Sequence, residues 1–359
     1  VILRAVDSQL HPADDVGQMP SRVPLFFCSA LLAACVTTPI ARGPMPVRNQ
    51  HPAQLTILHL DPESAAALPT GEVAVRVDTA YTNMFLSGQG TGLASTNSFK
   101  MDGELMRTAV QMRTGLGSGF TVAVEVPMVH TSGGFLDGFL IDYHNLFGFP
   151  DQDRASEPRN QFNVVAAYQG ETIFEQRTSA LELADVPIEL AYQVIAPALY
   201  QPGFSIRGGI ELPTGNQTHG FGNGGIDAAL GAVLELPTTY GNWYAAVQHT
   251  IASNPDKAAA AGVAFADVTS ANLGLELPLF DDFALLLQTE WENSTLRALD
   301  FDFVATPQWL LWIGGRMRLD RNLCLEVAIA EDLAGYVSPD VTFWLGMAWL
   351  AGRSYGAGG

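Results

Sequence analysis

Between Ser338 and Leu350 the side chains alternate without a break. Val341, Phe343, Leu345, Met347 and Trp349 fall on one face, and Thr342, Trp344, Gly346 and Ala348 on the other. Strand side chains alternate with a period of two, so the stretch reads as one strand with an apolar face opposite a face of mostly small or polar groups. Its length of about ten residues suits a tilted strand crossing a bilayer. Left open at the end of a chain, such a strand would be a hazardous edge. Pairing it with the first strand closes a barrel and removes that edge. The chain has no apolar run long enough for a membrane helix, and a spanning chain without one must be a barrel.

The same alternation recurs upstream. The first strand, after Gly71, sets Val73, Val75, Val77, Thr79 and Tyr81 against Glu72, Arg76 and Asp78. The second sets Met106, Thr108, Val110 and Met112 against Leu105, Arg107, Gln111 and Arg113. The third sets Phe120, Val122, Val124, Val126 and Met128 against Glu125. Later strands place Glu189, Arg207, Glu211, Asp227, Glu235, Glu276, Glu290, Glu292, Arg316, Arg318 and Glu326 opposite runs of Leu, Ile, Val, Phe and Trp. Connections alternate between short ones, such as 115–119, 280–282 and 319–321, and long ones, such as 85–101, 131–185 and 252–269. Short periplasmic turns with long outer loops are the outer-membrane arrangement. Trp243, Trp291, Trp309, Trp349, Tyr81 and Phe343 fall near strand ends, where an aromatic girdle belongs. A soluble sandwich or lipocalin-like barrel would turn the apolar face inward, with shorter strands. The expected fold is therefore all-β: a transmembrane, antiparallel, up-and-down barrel of about twelve strands over 71–351, with a short helix in an outer loop and an eight-residue tail, 352–359.

The front end reads as an export signal. Arg22 and the apolar run Val23 to Leu31 follow Met19. Residues 1–18 have no apolar period and read as an upstream extension, leaving 19–34 as the signal peptide. Leu32-Ala33-Ala34-Cys35 resembles a lipobox, which makes Cys35 a candidate for lipidation, and Val36 after it points to the outer membrane. Residues 35–70, rich in proline at Pro39, Pro44 and Pro46, read as a lipidated linker and short periplasmic segment. Only Cys324 then remains for the barrel, so no disulfide framework or metal-binding cysteine cluster is available.

Functional candidates follow from the polar faces. An isolated buried charge costs several kcal/mol, so the predicted lumen charges must pair or be hydrated. They read either as an ion-paired filling that stiffens the wall or as a polar path that selects solute. Carboxylates outnumber arginines there, which favours cations. In the loop 132–150, Phe135, Leu136, Phe139, Leu140, Tyr143 and Phe147 recur near helical spacing, with Asp137 and Asp142 off that face. The loop reads as a lid over the mouth, as a helix at the lipid boundary, or as a packed cap. Gly220 to Gly225 matches G-x-G-x-x-G but runs from strand to strand rather than into a helix, so it is a flexible loop and no cofactor is expected. An enzyme would need a Ser/His pair at the outer rim. His130, His144, His219 and His249 lie near outer ends beside Ser132 or Thr218 at most, without an acid or amide partner at a recognisable spacing.

At Gly43-Pro44-Met45-Pro46-Val47-Arg48-Asn49-Gln50, at 132–139 and 143–151, and at Leu212-Pro213-Thr214-Gly215, Glu331-Asp332-Leu333-Ala334 and Ser338-Pro339-Asp340-Val341, the chain resembles a family of Gram-negative proteins catalogued as domain of unknown function 3187. The resemblance runs from about residue 43 to 351. It implies an outer-membrane barrel and carries no activity or catalytic residues.

The net charge of −19 argues against a nucleic-acid partner. The expected partners are outer-membrane lipid, the barrel-assembly machinery and a small solute. The expected function is a passive, cation-preferring path for a small solute or hydrophobic compound, gated by the 132–150 loop. The alternatives are a non-conducting structural barrel or lipoprotein, and a lipid-modifying enzyme.

Overall fold

The structure is a computed structural model that describes residues 42–147, 154, 157–300, 302–334 and 338–351. Residues 1–41 and 352–359 lie outside this set, and with them the upstream extension, the signal peptide, Cys35 and the tail.

Among the described residues there are a few short helices and fifteen strands. They are β1 (Val73–Gln89), β2 (Ser98–Gly117), β3 (Phe120–Ser132), β4 (Asn163–Tyr168), β5 (Glu171–Gln176), β6 (Ser179–Leu183), β7 (Val186–Ile195) and β8 (Gly203–Leu212). After them come β9 (Asp227–Pro237), β10 (Asn242–Ile251), β11 (Val268–Phe280), β12 (Phe283–Glu292), β13 (Gln308–Asp320), β14 (Leu323–Ala334) and β15 (Val341–Ala351). The helices are α1 (Asp137–Phe147), α2 (Asp256–Ala260) and α3 (Asp302–Ala305), and none is long and apolar enough to cross a membrane.

Twelve strands close into a ring: β1, β2 and β3, then β7 through β15 in order. The closing seam pairs Val73 with Ala351 and continues antiparallel to Asn83 opposite Val341. The last strand thus finds its partner in the first, and the barrel has no open edge. The expected twelve-stranded antiparallel barrel with a helix in a loop is what the chain forms.

The period-two pattern decides which face meets lipid. Leu230, Leu234, Trp243, Val247, Leu273, Ile313, Leu345 and Trp349 all point outward and are exposed, Leu230 by 75%. The matching inner positions, among them Asp227, Glu235, Gln248, Glu276, Gln288, Glu290 and Glu326, are buried. An apolar belt over this many neighbouring strands would be untenable in water and suits hydrocarbon.

Two strands run past the ring. The β1–β2 hairpin continues to Gln89 opposite Ser98, beyond the expected loop boundaries. There β2 gains β4 and then β5 as neighbours, while the upper part of β3 pairs with β6. At this long-loop end a hydrophobic cluster forms from Met84, Leu86, Phe99, Met101, Val164, Phe174, Phe221, Phe265, Leu296 and Leu299. Leu55 and Ile57 join it.

Those two residues expose the main correction. The segment expected to be periplasmic lies within the ring. Arg42 pairs with Glu235 near the short-turn end, at 2.8 Å. The chain then rises past Gln288, turns through Gln54–Thr56 among the long loops, and descends past Gln248 to Leu68, whose amide donates to Thr121 Oγ1 at 3.0 Å. Both limbs of this hairpin leave by the mouth at which β1 begins. The physical reason is visible on the wall. Trp312, Trp344, Leu286 and Leu310 point inward, where water would solvate them poorly, and Met45 and Val47 cover them. Leu58 and Leu60 cover Ala229 on the opposite side.

Candidate functional site

The lumen is the candidate site, and its contents are set by the wall side chains. Gln288 embraces the rising limb: its Oε1 accepts from Met45 N at 2.6 Å and its Nε2 donates to Met45 O at 3.1 Å. Gln248 does the same for the descending limb at Leu60, at 2.6 and 3.2 Å. Asp227 accepts from Leu58 N at 3.0 Å, Gln193 from Ala67 N at 2.8 Å, and Glu235 from Ser64 Oγ and Ala65 N. Near the turn, Glu292 accepts from Asn49 Nδ2 at 2.8 Å and Gln54 Nε2 at 2.9 Å. An irregular segment inside a barrel must satisfy its amides and carbonyls somewhere, and here wall side chains take much of that role.

The predicted lumen charges converge into three ion-paired groups. Arg316 contacts Glu326 at 2.7 Å and Glu276 at 2.8 Å and donates to Gly43 O at 2.8 Å, while Arg76 also pairs with Glu326. Arg107 pairs with Glu125 and lies 4.0 Å from Asp78. Arg207 pairs with Glu189, reaches Glu63 at 2.7 Å and donates to Asp61 O at 2.6 Å; Arg113 shares Glu63. Glu211 is buried on the inner face of β8. Two residues fall outside the filled region. Glu72 precedes β1 at the short-turn rim, and Arg318, near the end of β13, pairs with the exposed Asp282. Period two predicts the side of a strand but not how far along it the filled region extends.

The space left over is small. A cavity of about 10 Å³ lies between His59, Arg207, Gln248, Asn272 and Glu290, and one of about 30 Å³ between Arg42, Glu63, Arg76 and Arg113. Each has room for roughly one or two waters. Neither of these cavities has room for a solute beside the segment.

The 132–147 loop, read from the sequence as a lid, a lipid-boundary helix or a packed cap, is anchored at the barrel rim by polar contacts. Glu104 Oε1 accepts from Phe135 N at 2.8 Å and from Leu136 N. Asp137, placed off the packed face by periodicity, is buried and paired with Arg154 at 2.8 Å; Arg154 also pairs with Asp340 and donates to Asn83 Oδ1 at 2.7 Å. Burial pushes the Asp340 carboxyl up to about 6 against the pull of Arg154, so the pair is charged at neutral pH. Leu140 is buried, but Phe135 is 71% exposed and tilted against Tyr81 at 5.8 Å, and Phe139 is also exposed. The side chains of Tyr143 and Phe147 lie outside the described set. The loop is thus clamped at the rim with aromatics facing out, while residues 43–68 occupy the ring. Replacing Arg154 with Ala should strand Asp137 and Asp340, cost about 3–5 kcal/mol, and open 132–147 to protease in the folded barrel. Unchanged nicking and an unchanged unfolding midpoint would refute the clamp.

The glycine-rich stretch is held in place. Asp185 accepts from Gly215 N at 2.7 Å and Asn223 N at 3.1 Å. A Cβ at Gly222 would sit 2.5 Å from that carboxylate, so a side chain there would displace it. The described histidines at the outer end contact residues of strands β6 and β11. His130 meets Ser179 O, His219 lies 3.3 Å from Glu182, and His249 is 2.8 Å from Thr269 Oγ1. The side chain of His144 is outside the described set.

The inserted segment was missed because its composition reads as a linker. A signal was present: Leu105, Leu286, Leu310, Trp312 and Trp344 sit on faces assigned to a polar lumen. Large apolar groups there demand an apolar partner, and Met45, Val47, Leu55, Ile57, Leu58 and Leu60 are a matching set upstream.

Comparison with solved structures places the fold. The COG4313 outer membrane channel from Pseudomonas putida F1 superposes with a TM-score of 0.50 at 12% identity, covering 81% of this chain and 99% of that one. The NanC porin matches with a TM-score of 0.45 at 9% identity, covering 77% and 98%. The KdgM porin, solved in complex with disordered oligogalacturonate, matches with 0.39 at 8%, covering 77% and 98%. The barrel has the fold of an outer-membrane barrel. No curated protein matches the chain. A family model described as "Protein of unknown function (DUF3187)" matches residues 22–350.

Proposed function

The chain belongs to that DUF3187 family, whose description assigns no activity, and we propose that it is an outer-membrane channel for small solutes held closed by its own residues 43–68. The observation that carries this reading is how the segment is held. Apart from the apolar contacts at Met45–Val47 and Leu55–Ile57, it is bound at Met45, Leu58, Leu60 and Ala65 by wall amides and carboxylates that water can replace. Both limbs leave by the same mouth, so the hairpin can withdraw toward the periplasm without threading the wall. Withdrawal would uncover a lining in which carboxylates exceed guanidiniums, although the segment takes Asp61 and Glu63 as well as Arg48 with it. The uncovered path should therefore prefer cations. In this proposal the 132–147 loop shapes the outer rim and the inserted segment supplies closure.

A second reading, a structural barrel that never opens, is favoured by one observation: the long-loop end is sealed by the apolar cluster to which Leu55 and Ile57 belong. The two are separated by the reversal potential across a planar bilayer in a potassium chloride gradient, using a chain without residues 43–68. We expect a potential displaced toward that of potassium. A displacement toward chloride would refute the cation preference, and the absence of current from folded barrels would refute the channel.

A further inference from the structure

The geometry points to a divalent transition-metal site, of the zinc kind, that ties the inserted segment to the wall through His59, Glu290 and Glu292. One ligand atom from each of the three lies within 4.8 Å of the others, and all three residues are buried. His59 sits on the descending limb; the two glutamates sit on the inner face of β12, two residues apart. His59 Nδ1 lies 3.0 Å from Asp61 Oδ1, which fixes the proton on that nitrogen and directs Nε2 at Glu290 Oε1, 3.2 Å away. A neutral imidazole lone pair facing a carboxylate oxygen at that distance is repulsive unless a cation lies between them. A carboxylate that orients a histidine from behind is the usual arrangement at a metal.

A second observation supports a ligand here. Glu290 is 2% exposed, and its Oε2 has no hydrogen-bond partner. Buried carboxylate oxygens are seldom left so. The cavity of about 10 Å³ against His59 and Glu290 can hold one water, and Asn272 Nδ2, also without a hydrogen-bond partner, lines it. One nitrogen, two carboxylate oxygens and a water make a four-coordinate set. The imidazole favours zinc-like ions over magnesium or calcium. Two glutamates also match the charge of a divalent ion. The site joins the moving part to the fixed part, so an ion there would hold the segment in place.

The test is metal content of the whole chain, refolded once with zinc chloride and once with EDTA, then desalted and analysed by elemental mass spectrometry. About one zinc per chain is expected, with a higher thermal midpoint for the zinc-refolded protein. His59→Ala should abolish that zinc. Asp61→Asn, which keeps the ligands and the fold, should weaken it about 10–100-fold. Only trace zinc in the folded wild type, or zinc retained equally by both variants, would overturn the proposal and leave His59 as an imidazolium between two carboxylates. Metal content is read without current, so failure of the channel reading and failure of the site are separate results.

Discussion

A chain lacking residues 43–68 is expected to give discrete current steps in a planar bilayer where the whole chain gives none. The water-sized cavities beside the segment admit no hydrated ion, whereas its removal empties the centre of a twelve-stranded ring. The ring itself should survive, because every neighbouring pair of strands, the β1–β15 seam included, is joined without the segment. Stability should fall nonetheless. Each plug-to-wall hydrogen bond contributes a net of about 0.5–1.5 kcal/mol, much of which water restores. The apolar contacts are not restored. Leu55 and Ile57 leave the cluster at the long-loop end, where truncating a buried Leu or Ile typically costs about 2–5 kcal/mol. Trp312 and Trp344 lose Met45 and Val47. We therefore expect a barrel that still shows heat-modifiable gel mobility, unfolds at lower temperature, and conducts. Silence from a barrel that passes the mobility check would refute the channel and leave the structural barrel, sealed by the cluster at the long-loop end.

The second large effect is expected at Arg207. Its guanidinium pairs with Glu189 on the wall and with Glu63 on the segment and donates to Asp61 O, all with little exposure. Replacing it with Ala leaves the buried Glu189 without its guanidinium and leaves the half-buried Glu63 to Arg113 alone. Breaking a buried ion pair from one side costs about 3–5 kcal/mol, more than most surface pairs ever contribute. Part of that cost can be relieved by releasing Glu63 to water, which means releasing the descending limb. Arg207→Ala should thus lower the urea midpoint of the refolded barrel and raise amide exchange over 58–68, with β10 to β12 little changed. Arg207→Lys should restore only part of the loss, because an ammonium cannot reproduce the planar fork. If the alanine variant keeps both the midpoint and the protection of 58–68, the ion-paired anchor is not what holds the limb.

Much of the wall was legible because strand periodicity is local. Val341 to Trp349 announce an outward face from their own spacing, and Asp227, Glu235 and Glu276 announce the inward one. The alternation of loop lengths adds a non-local check: it implies an up-and-down order that the pairings follow. The inward tryptophans were the residues that did not fit a polar lumen, and they are where the segment packs. In the 132–147 loop, helical spacing identified α1 but assigned its faces wrongly, because Asp137 is turned inward by Arg154, a residue 17 positions away.

The sequence by itself determined the barrel, its strand number, its lipid-facing side and its outer-membrane character, since each follows from period-two patterning and strand length within single segments. Only the tertiary structure decided what fills the ring. Residues 43–68 carry no strand or helix periodicity of their own. Their place is set by partners far along the chain, Met45 by Gln288, Leu60 by Gln248 and Glu63 by Arg207. Such contacts have no local signature, because their stability resides in wall side chains that come together only once the ring has closed.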